Sequence, residues 1–331
     1  MAIFKRLGFC FLLLGAISFG NLADAITYGV PDDGAHPNVV SIAGFRETTD
    51  ANGDPILISS GRCSGSLIRI EDDMLVFLTA GHCPQFWLEG LQNGSLVDVG
   101  VSFDEVIEKD LGVAASSTNQ YILGGQPVLY DGYFPGENAW NIQFDYGLVV
   151  LRIPDGGLVT EDGTPVDLTG IEPVTLIDIE DYLYDNGDIH DPFVLVQVGY
   201  GIGEYLNRPG EGNKGGVSPD LDTFLNRSIA DNSVFHGFMG PKRNLMRSFQ
   251  HFAKDQNGSC GGDSGGPNFL YIDEVETQVS VISSGSFPCN STSITARLDI
   301  PDALDFVQCA LLNPSPENCG CIEVDKHGMC P

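Results

Sequence analysis

The chain has 331 residues, with 16 basic and 45 acidic side chains and a formal net charge of −29. A surface this negative repels nucleic acid and anionic lipid, which argues against both as partners. Hydrophobic residues make up 42% of the chain, so a large buried core is expected and general disorder is excluded.

The first 25 residues have the pattern of a secretory signal peptide. Lys5 and Arg6 give a positive start, residues 7–19 are apolar and uncharged, and residues 23–25 (Ala-Asp-Ala) place small side chains where signal peptidase reads. The apolar stretch is short and broken by glycine, and no later one is long enough for a span. We expect cleavage after Ala25, a secreted or periplasmic protein, and no membrane association afterwards; a short membrane anchor is the alternative.

The rest of the chain consists of short apolar runs between turn formers, with 41 glycines and 19 prolines in total. Six runs predict strands, at residues 39–43, 66–70, 75–78, 146–151, 194–198 and 279–282. Residues 302–312 have apolar side chains at helical spacing behind Pro301, which predicts a helix. The fold class is therefore all-β with one late helix.

Two polar segments predict connections. Residues 50–54 (Asp-Ala-Asn-Gly-Asp) superficially resemble a calcium loop, but they lack the spacing and the terminal glutamate of an EF-hand. Asn-Gly is a strong hairpin signal, so a turn is predicted there. The glycine-rich stretch at residues 207–218 predicts a long surface loop.

Of the nine cysteines, Cys10 lies in the signal peptide, and the remaining even number in an exported chain predicts disulfides. Four are spread through the body of the chain, and four crowd its end: Cys309, Cys319, Cys321 and Cys330. A zinc site is the alternative for the second set, but paired Cys-x-x-Cys spacing is missing and export disfavours free thiolates. We expect two disulfides within this set, with the pairing open and a Cys319–Cys321 bridge the least suitable.

Three motifs follow one another along the chain. Residues 77–83 (Phe-Leu-Thr-Ala-Gly-His-Cys) contain His82, residues 144–151 (Phe-Asp-Tyr-Gly-Leu-Val-Val-Leu) contain Asp145, and residues 260–267 (Cys-Gly-Gly-Asp-Ser-Gly-Gly-Pro) contain Ser264. A serine hydroxyl needs a general base beside it to act as a nucleophile. Histidine is the obvious base, and a carboxylate orients it and stabilises the imidazolium. Glycines around a serine allow a tight turn that exposes the hydroxyl and frees N–H groups for an oxyanion.

These motifs resemble those of the chymotrypsin/trypsin-like serine endopeptidases (peptidase S1-like). Residues 262–267 match the serine motif in full, and residues 79–83 match the histidine motif except at Gly81, where alanine is commoner. The aspartate motif matches more loosely, but the order His, Asp, Ser is that of the family. The similarity runs from Ile26 to about residue 312, with little recognisable pattern at 86–140 and 203–245.

The resemblance implies two six-stranded antiparallel β-barrels with the catalytic residues in the cleft between them. Residues 26–312 would form this protease domain, with the barrel boundary near 160–175. Residues 313–331 would be a cysteine-rich tail outside the family core. The resemblance also implies the disulfides Cys63–Cys83 and Cys260–Cys289.

The same resemblance assigns roles to the motif residues. His82 would act as general base and then acid, Asp145 would orient it, and Ser264 would form an acyl-enzyme. The N–H groups of Gly262 and Ser264 would form the oxyanion hole. Neither a metal nor an organic cofactor is required.

For substrate binding, the resemblance places Gly258 at the floor of the specificity pocket with Ser259 beside it. Ser283 and Gly285 would lie on the substrate-binding strand. A trypsin-type pocket has an aspartate at the position of Gly258, so an uncharged residue there predicts cleavage after apolar residues. We expect protein or peptide substrates and a monomeric enzyme.

Activation in this family depends on a new N-terminus whose ammonium group pairs with the aspartate before the catalytic serine. Here that pair would be Ile26 and Asp263, and a buried carboxylate needs such a partner. Signal cleavage before Ile26 would then complete the enzyme during export. Cleavage nearer Gly20, leaving a short propeptide, is the alternative.

Two other functions fit the same motifs. A catalytically silent, protease-like protein could recruit partners without cleaving them. An esterase could use the same three residues on ester substrates.

Overall fold

Antiparallel strands form most of the chain that the structure, a computed structural model, describes. It describes residues 26–331 except 28, 51, 108–119, 137–141, 178–192, 204, 208–216, 220–225, 241–242, 251–256 and 288. The predicted signal peptide and most of the predicted loop at 207–218 lie outside the described residues.

The first sheet has seven strands and curls into a half-barrel. Its members are β2 (Val39–Thr49), β3 (Pro55–Glu71), β4 (Met74–Thr79), β5 (Asp98–Ser102), β6 (Ile122–Leu123), β7 (Gly125–Leu129) and β8 (Gly147–Arg152). Their order is β6-β5-β2-β3-β4-β8-β7. All of β4 and nearly all of β8 is buried, which explains why both have continuous apolar sequences rather than alternating ones.

The second sheet closes into a six-stranded barrel. The peripheral strands are β1 (Val30–Pro31) and β9 (Thr175–Leu176); the barrel strands are β10 (Val194–Gly199), β13 (Ser228–Met239), β14 (Leu245–Phe249), β15 (Pro267–Ile272), β16 (Val275–Gly285) and β17 (Thr292–Arg297). The order is β13-β10-β15-β16-β17-β14, and pairing of β13 with β14 closes the barrel. The short strands β11 (Tyr205–Asn207) and β12 (Val217–Pro219) pair only with each other, at the two ends of the predicted loop.

The described chain contains two α-helices and a short 3-10 helix. Helix α2 (Pro301–Leu312) confirms the predicted late helix, and it begins with the proline that fixes a helical backbone at the first position. The 3-10 helix, Pro316–Cys319, follows it. Helix α1 (His82–Asn93) was not predicted: Pro84 and Gly90 are poor helix formers, although the buried residues Cys83, Pro84, Trp87 and Leu88 recur at helical spacing.

The fold class is confirmed as all-β, with one closed barrel, one curled half-barrel and a C-terminal helix. Each of the six predicted strands lies within or largely overlaps an observed strand. The turn at residues 50–54 is also confirmed, because the Asp50 carboxylate accepts the N–H groups of Asn52 and Asp54, both at 2.8 Å. This turn joins β2 to β3, whose pairing continues to Thr49 opposite Pro55.

All eight described cysteines form disulfides. The pairs implied by the family resemblance are present, and the tail set forms two internal bridges: Cys63–Cys83, Cys260–Cys289, Cys309–Cys319 and Cys321–Cys330. Because all four tail sulfurs are consumed, the zinc alternative is excluded. Four disulfides are typical of exported proteins. None of the described helices is long and apolar enough to cross a membrane.

The two sheets are joined by a connection that runs from Arg152 at the end of β8 to β9. The predicted boundary near residues 160–175 lies within this connection. Strand β9 pairs with β16 of the barrel, while the N–H of Val174 donates to the carbonyl of Leu67 in the half-barrel at 2.8 Å. The connection is therefore bonded to both sheets.

Candidate active site

The topology brings the histidine and aspartate motifs to one end of the first sheet. Strands β4 and β8 are antiparallel neighbours, with Thr79 opposite Gly147. The chain leaving β4 reaches His82 three residues later, and Asp145 precedes β8 by two residues. Antiparallel pairing thus places the two side chains together although 63 positions separate them.

His82 and Asp145 form a hydrogen-bonded pair. The Nδ1 atom of His82 lies 3.0 Å from Oδ2 of Asp145 and 3.3 Å from Oδ1, and the backbone N–H of His82 donates to Oδ1 at 2.8 Å. The hydroxyl of Ser283 donates to Oδ2 at 2.5 Å. The Asp145 side chain is fully buried, whereas that of His82 is 32% exposed. The carboxylate is therefore held from three sides while part of the imidazole faces solvent.

The two groups shift each other's proton affinity. Burial acts to raise the pKa of Asp145, but the charge and hydrogen bonds of His82 and the hydroxyl of Ser283 together hold this pKa below its ordinary value. Burial acts to lower the pKa of His82, and the neighbouring Asp145 carboxylate overcomes it, so the net shift is upward. The arrangement favours an ionised aspartate beside an imidazole that readily takes up a proton.

The backbone around Asp145 is constrained. Phe144 has a φ of +51°, which is uncommon for a residue other than glycine and is found disproportionately at functional sites. The N–H of Tyr146 donates back to the carbonyl of Phe144 at 2.8 Å, so Asp145 lies at the apex of a tight turn. On the other side, Gly81 lies so close to this turn that a Cβ atom there would be 2.8 Å from the carbonyl oxygen of Tyr146. This contact gives a physical reason for glycine where the resembled family has alanine.

Ser264 lies in the loop that enters β15 of the barrel. The loop is fixed by hydrogen bonds from the N–H of Asp263 to Cys260, from Gly265 to Ile282 and from Gly266 to Asp263, at 2.7–3.1 Å. Gly262 and Gly265 have φ values of +100° and +89°, and Gly265 also abuts the Thr79 side chain too closely for a Cβ. The glycines that flank the serine are therefore required by the backbone.

The predicted oxyanion-hole donors have no acceptor among the described residues. Within the described part of the chain, the N–H groups of Gly262 and Ser264 make no hydrogen bond to the protein. The N–H groups of the neighbouring residues Asp263 and Gly265 do make such bonds. The carbonyls of the same two residues are engaged instead. That of Gly262 accepts from the hydroxyl of Ser64 at 3.1 Å, and that of Ser264 accepts from the N–H of Ser64 at 2.7 Å.

A cavity of about 210 Å³ lies beside Ser264. Three of the predicted substrate-binding residues, Ser259, Ser283 and Gly285, line it, and Phe287 stands at its edge with 75% of its surface exposed. Gly258 is not among the lining residues. Its backbone pairs with Thr27, and a Cβ atom there would collide with the buried side chain of Gln250.

The sequence analysis did not identify the residues that form hydrogen bonds with Ser259. The hydroxyl of Ser259 lies 2.6 Å from that of Ser293, and its N–H donates to Oε1 of Gln197 at 3.0 Å. The amide of Gln197 in turn donates to Asn268 and, at 3.2 Å, to Ser293. These residues come from three different strands, and no local motif marks them. Ser259 in the cavity lining is therefore held by polar, uncharged side chains.

The predicted activation residues lie on neighbouring pieces of chain. Ile26 is fully buried, and the next residue, Thr27, pairs with Gly258 and donates to the carbonyl of Ile202 at 3.4 Å. In this chain residue 25 precedes Ile26, so its nitrogen is an amide and not an ammonium group.

Asp263 is a fully buried carboxyl group. It accepts the N–H groups of Gly201 at 2.7 Å and of Cys260 at 2.8 Å. No basic side chain in the described part of the chain forms an ion pair with it. Burial therefore raises its pKa to about 8, although both hydrogen bonds act in the opposite direction.

Among the described residues, two groups of side chains have metal-ligand spacing, and neither suits a metal. His82 lies near Cys63 and Cys83, and Asp131 lies near Cys321 and Cys330. In both groups the two sulfurs are bonded to each other, so they are not thiolate ligands.

No protein-family model matches this chain, and no curated protein matches it. The closed six-stranded barrel beside a curled half-barrel is compatible with a trypsin-like fold.

Proposed function

We propose that the protein is a secreted serine endopeptidase that uses His82, Asp145 and Ser264. The observation that carries the proposal is the buried Asp145 carboxylate bonded to Nδ1 of His82. The second support is a nucleophile loop with two unengaged N–H groups beside a cavity. Export is supported by the four disulfides and by the signal-like sequence of residues 1–25.

In the proposed reaction, these groups take the following roles. The Oγ of Ser264 attacks the carbonyl carbon of the peptide bond while its proton passes to Nε2 of His82. The carbonyl oxygen becomes an oxyanion that accepts the N–H groups of Gly262 and Ser264. His82 then gives the proton to the departing amine, which leaves an acyl-enzyme. Water repeats the sequence with His82 as base, releasing the acid and restoring Ser264, and Asp145 remains ionised throughout.

The pocket favours an uncharged substrate side chain. All of its lining residues within the described part of the chain are neutral, and one of them, Ser259, is hydrogen-bonded behind the cavity to Ser293 and Gln197. Burying an ammonium or guanidinium group there without a carboxylate would cost several kcal/mol. The proposed specificity is therefore cleavage after apolar residues, and it is supported by the described lining residues rather than by Gly258.

Labelling with a fluorophosphonate, followed by cleavage assays on peptides and short-chain esters, tests the proposed function. The endopeptidase proposal expects labelling of the exported protein, its loss in Ser264→Ala, and cleavage of peptides. Labelling with ester hydrolysis alone would indicate the esterase. Folded, exported protein that does not label would indicate the silent binding protein.

We further propose that the enzyme becomes competent when the chain is cut before Ile26. The buried Asp263 lacks a described cationic partner, and the pairing of Thr27 with Gly258 brings the start of the chain to the loop that contains Asp263. A freed ammonium at Ile26 would supply both a charge and hydrogen bonds. N-terminal sequencing of active, exported protein tests this: a start other than Ile26 contradicts it.

A further inference from the structure

The C-terminal tail, residues 313–331, packs against the half-barrel at the elements that carry His82 and Asp145. Cys309–Cys319 attaches it to α2, and Cys321–Cys330 closes a loop within it. Its backbone pairs with the edge strand β7, where Leu129 and Cys321 exchange two hydrogen bonds of 2.8 and 2.9 Å. The tail therefore has a fixed register on this sheet.

One apolar side chain of the tail is inserted between the helix and the sheet. Val324 is 9% exposed and belongs to a small buried cluster with Leu88 of α1, Leu129 of β7 and Tyr133. Four residues later, the backbone of Gly328 abuts the Gln85 and Glu89 side chains of α1. The tail thus contacts the helix that begins with His82 at two separate points.

Tyr133 connects this cluster to the catalytic pair. Its ring lies against Gly81, the residue before His82, so closely that a Cβ there would be 2.9 Å from a ring carbon. Burial and the negative charges of Asp145 and Glu89 all raise the pKa of Tyr133, as expected for a ring near the catalytic carboxylate. Gly81 therefore lies against the ring of Tyr133, and Tyr133 belongs to the same buried cluster as Val324.

The loop that contains Tyr133 also holds the chain on both sides of Asp145. Phe134 and Gln143 exchange hydrogen bonds of 2.9 and 3.0 Å, two residues before Asp145. The N–H of Tyr130 donates to the carbonyl of Tyr146 at 3.4 Å, one residue after it. A movement of this loop would move Asp145 relative to His82.

We propose that the C-terminal tail is a positioning element for the His82–Asp145 pair and that Val324 acts on the pair through Tyr133. The proposal rests on the proposed function, because it takes His82 and Asp145 as the catalytic base and its orienting group. The tail keeps α1 and the loop around Tyr133 at a fixed separation, which preserves the bond between Nδ1 and Oδ2. The simpler alternative is that the tail only covers the open edge of β7.

Substitutions of one tail side chain separate these two roles. Val324→Ala and Val324→Asp remove the inserted group, and Ile322→Ala is the matched control, because Ile322 lies two residues away and is 45% exposed. We expect kcat on a peptide substrate to fall about tenfold or more in the Val324 variants, since small displacements of reacting groups are costly in rate. We expect KM to remain within about twofold, because the pocket belongs to the other barrel.

A second measurement does not depend on turnover. In a Ser264→Ala background, the proton between Nδ1 of His82 and Asp145 can be followed as a low-field NMR resonance. We expect Val324→Ala to shift or broaden it and Ile322→Ala to leave it unchanged. Circular dichroism gives the folded fraction, and kcat is expressed per folded molecule.

The outcomes are distinct. Folded Val324 variants with wild-type kcat and an unchanged resonance would overturn the proposal and leave the tail as an edge cover. A fall in activity that disappears after correction for folded fraction would do the same. If the wild-type protein cleaves nothing, the proposed function fails, while the resonance in Val324→Ala still decides whether the tail holds the pair.

Discussion

The carboxyl group of Asp263, which has no ion-pair partner among the described residues, should make a measurable difference between the chain before and after the proposed processing. Before cleavage, burial holds the pKa of Asp263 at about 8, against an ordinary value of 3.8. Between these values the folded chain keeps a proton that the unfolded chain has lost. Its stability must therefore fall as pH rises through this interval, because the unfolded state binds fewer protons.

The size of the effect follows from the width of the interval. Each pH unit between the two pKa values changes the free energy of unfolding by about 1.36 kcal/mol. From pH 4.5 to pH 7.5, the unprocessed chain should therefore lose about 4 kcal/mol through this group alone. If the ammonium of Ile26 pairs with Asp263 in the processed chain, as proposed, it lowers the pKa of Asp263 and this loss should be absent.

Urea unfolding at pH 4.5, 6.0 and 7.5 measures the effect. Four proteins are compared in a Ser264→Ala background, which prevents autolysis: a chain that retains residues 24–25 and one that begins at Ile26, each with and without Asp263→Asn. The free energy of unfolding of each protein is compared with that of its Asp263→Asn variant, so that the contributions of the other titrating groups cancel. In the extended chain, this difference in the free energy of unfolding should change by about 4 kcal/mol between pH 4.5 and pH 7.5. It should stay nearly flat in the processed chain, where Asp263→Asn should be destabilising at pH 7.5.

Two results would refute the reasoning about Asp263. If the difference in the free energy of unfolding does not change with pH in the extended chain, the Asp263 carboxyl group is already paired or solvated. Equal slopes in the extended and processed chains would show that Ile26 does not reach Asp263.

Three further predictions concern the catalytic cleft. Replacing Ser264 or His82 by alanine should lower kcat by roughly 10⁴–10⁶ with the fold retained by circular dichroism, and activity within tenfold of wild type would contradict the triad. Ser283→Ala removes a hydrogen bond that lowers the pKa of Asp145, so kcat should fall about tenfold by steady-state assay, and an unchanged rate would show that the bond is dispensable. A peptide library should show cleavage after apolar residues, and a strong preference for arginine or lysine would refute the uncharged pocket.

Local sequence predicted the parts of the fold that depend on local properties. The strands at residues 75–78 and 146–151 are continuous apolar runs because β4 and β8 are buried, and the turn at residues 50–54 is specified by its own Asx hydrogen bonds. Helix α2 follows from a helical period and a proline at its start. Helix α1 is held by contacts with the sheet and the tail, which the sequence of residues 82–93 does not reveal.

The candidate site was predictable to the same extent. Short motifs located His82, Asp145 and Ser264, but the supports of the pocket come from distant strands. Ser293 and Gln197 are 34 and 62 positions from Ser259, and they meet it only because the barrel closes. The position six residues before Ser264 predicts Gly258 at the pocket floor. In the structure Gly258 lies against Gln250 instead, because the chain turns between Gly258 and Ser264. Spacing alone does not specify such a turn.

The proposed catalytic groups are divided between two sheets, so their alignment depends on the contact between those sheets. His82 and Asp145 belong to the half-barrel, while Ser264 belongs to the closed barrel. Ser64 of β3 joins the two sheets. Its N–H donates to the carbonyl of Ser264 and its hydroxyl donates to the carbonyl of Gly262. The hydroxyl oxygen of Ser64 also accepts the N–H of Tyr200 at 3.0 Å. Ser283 makes the reciprocal connection, since it lies on β16 of the barrel and donates to Asp145. Each half of the site is thus hydrogen-bonded to the sheet that carries the other half. These bonds attach the open half-barrel to the closed barrel at the site itself.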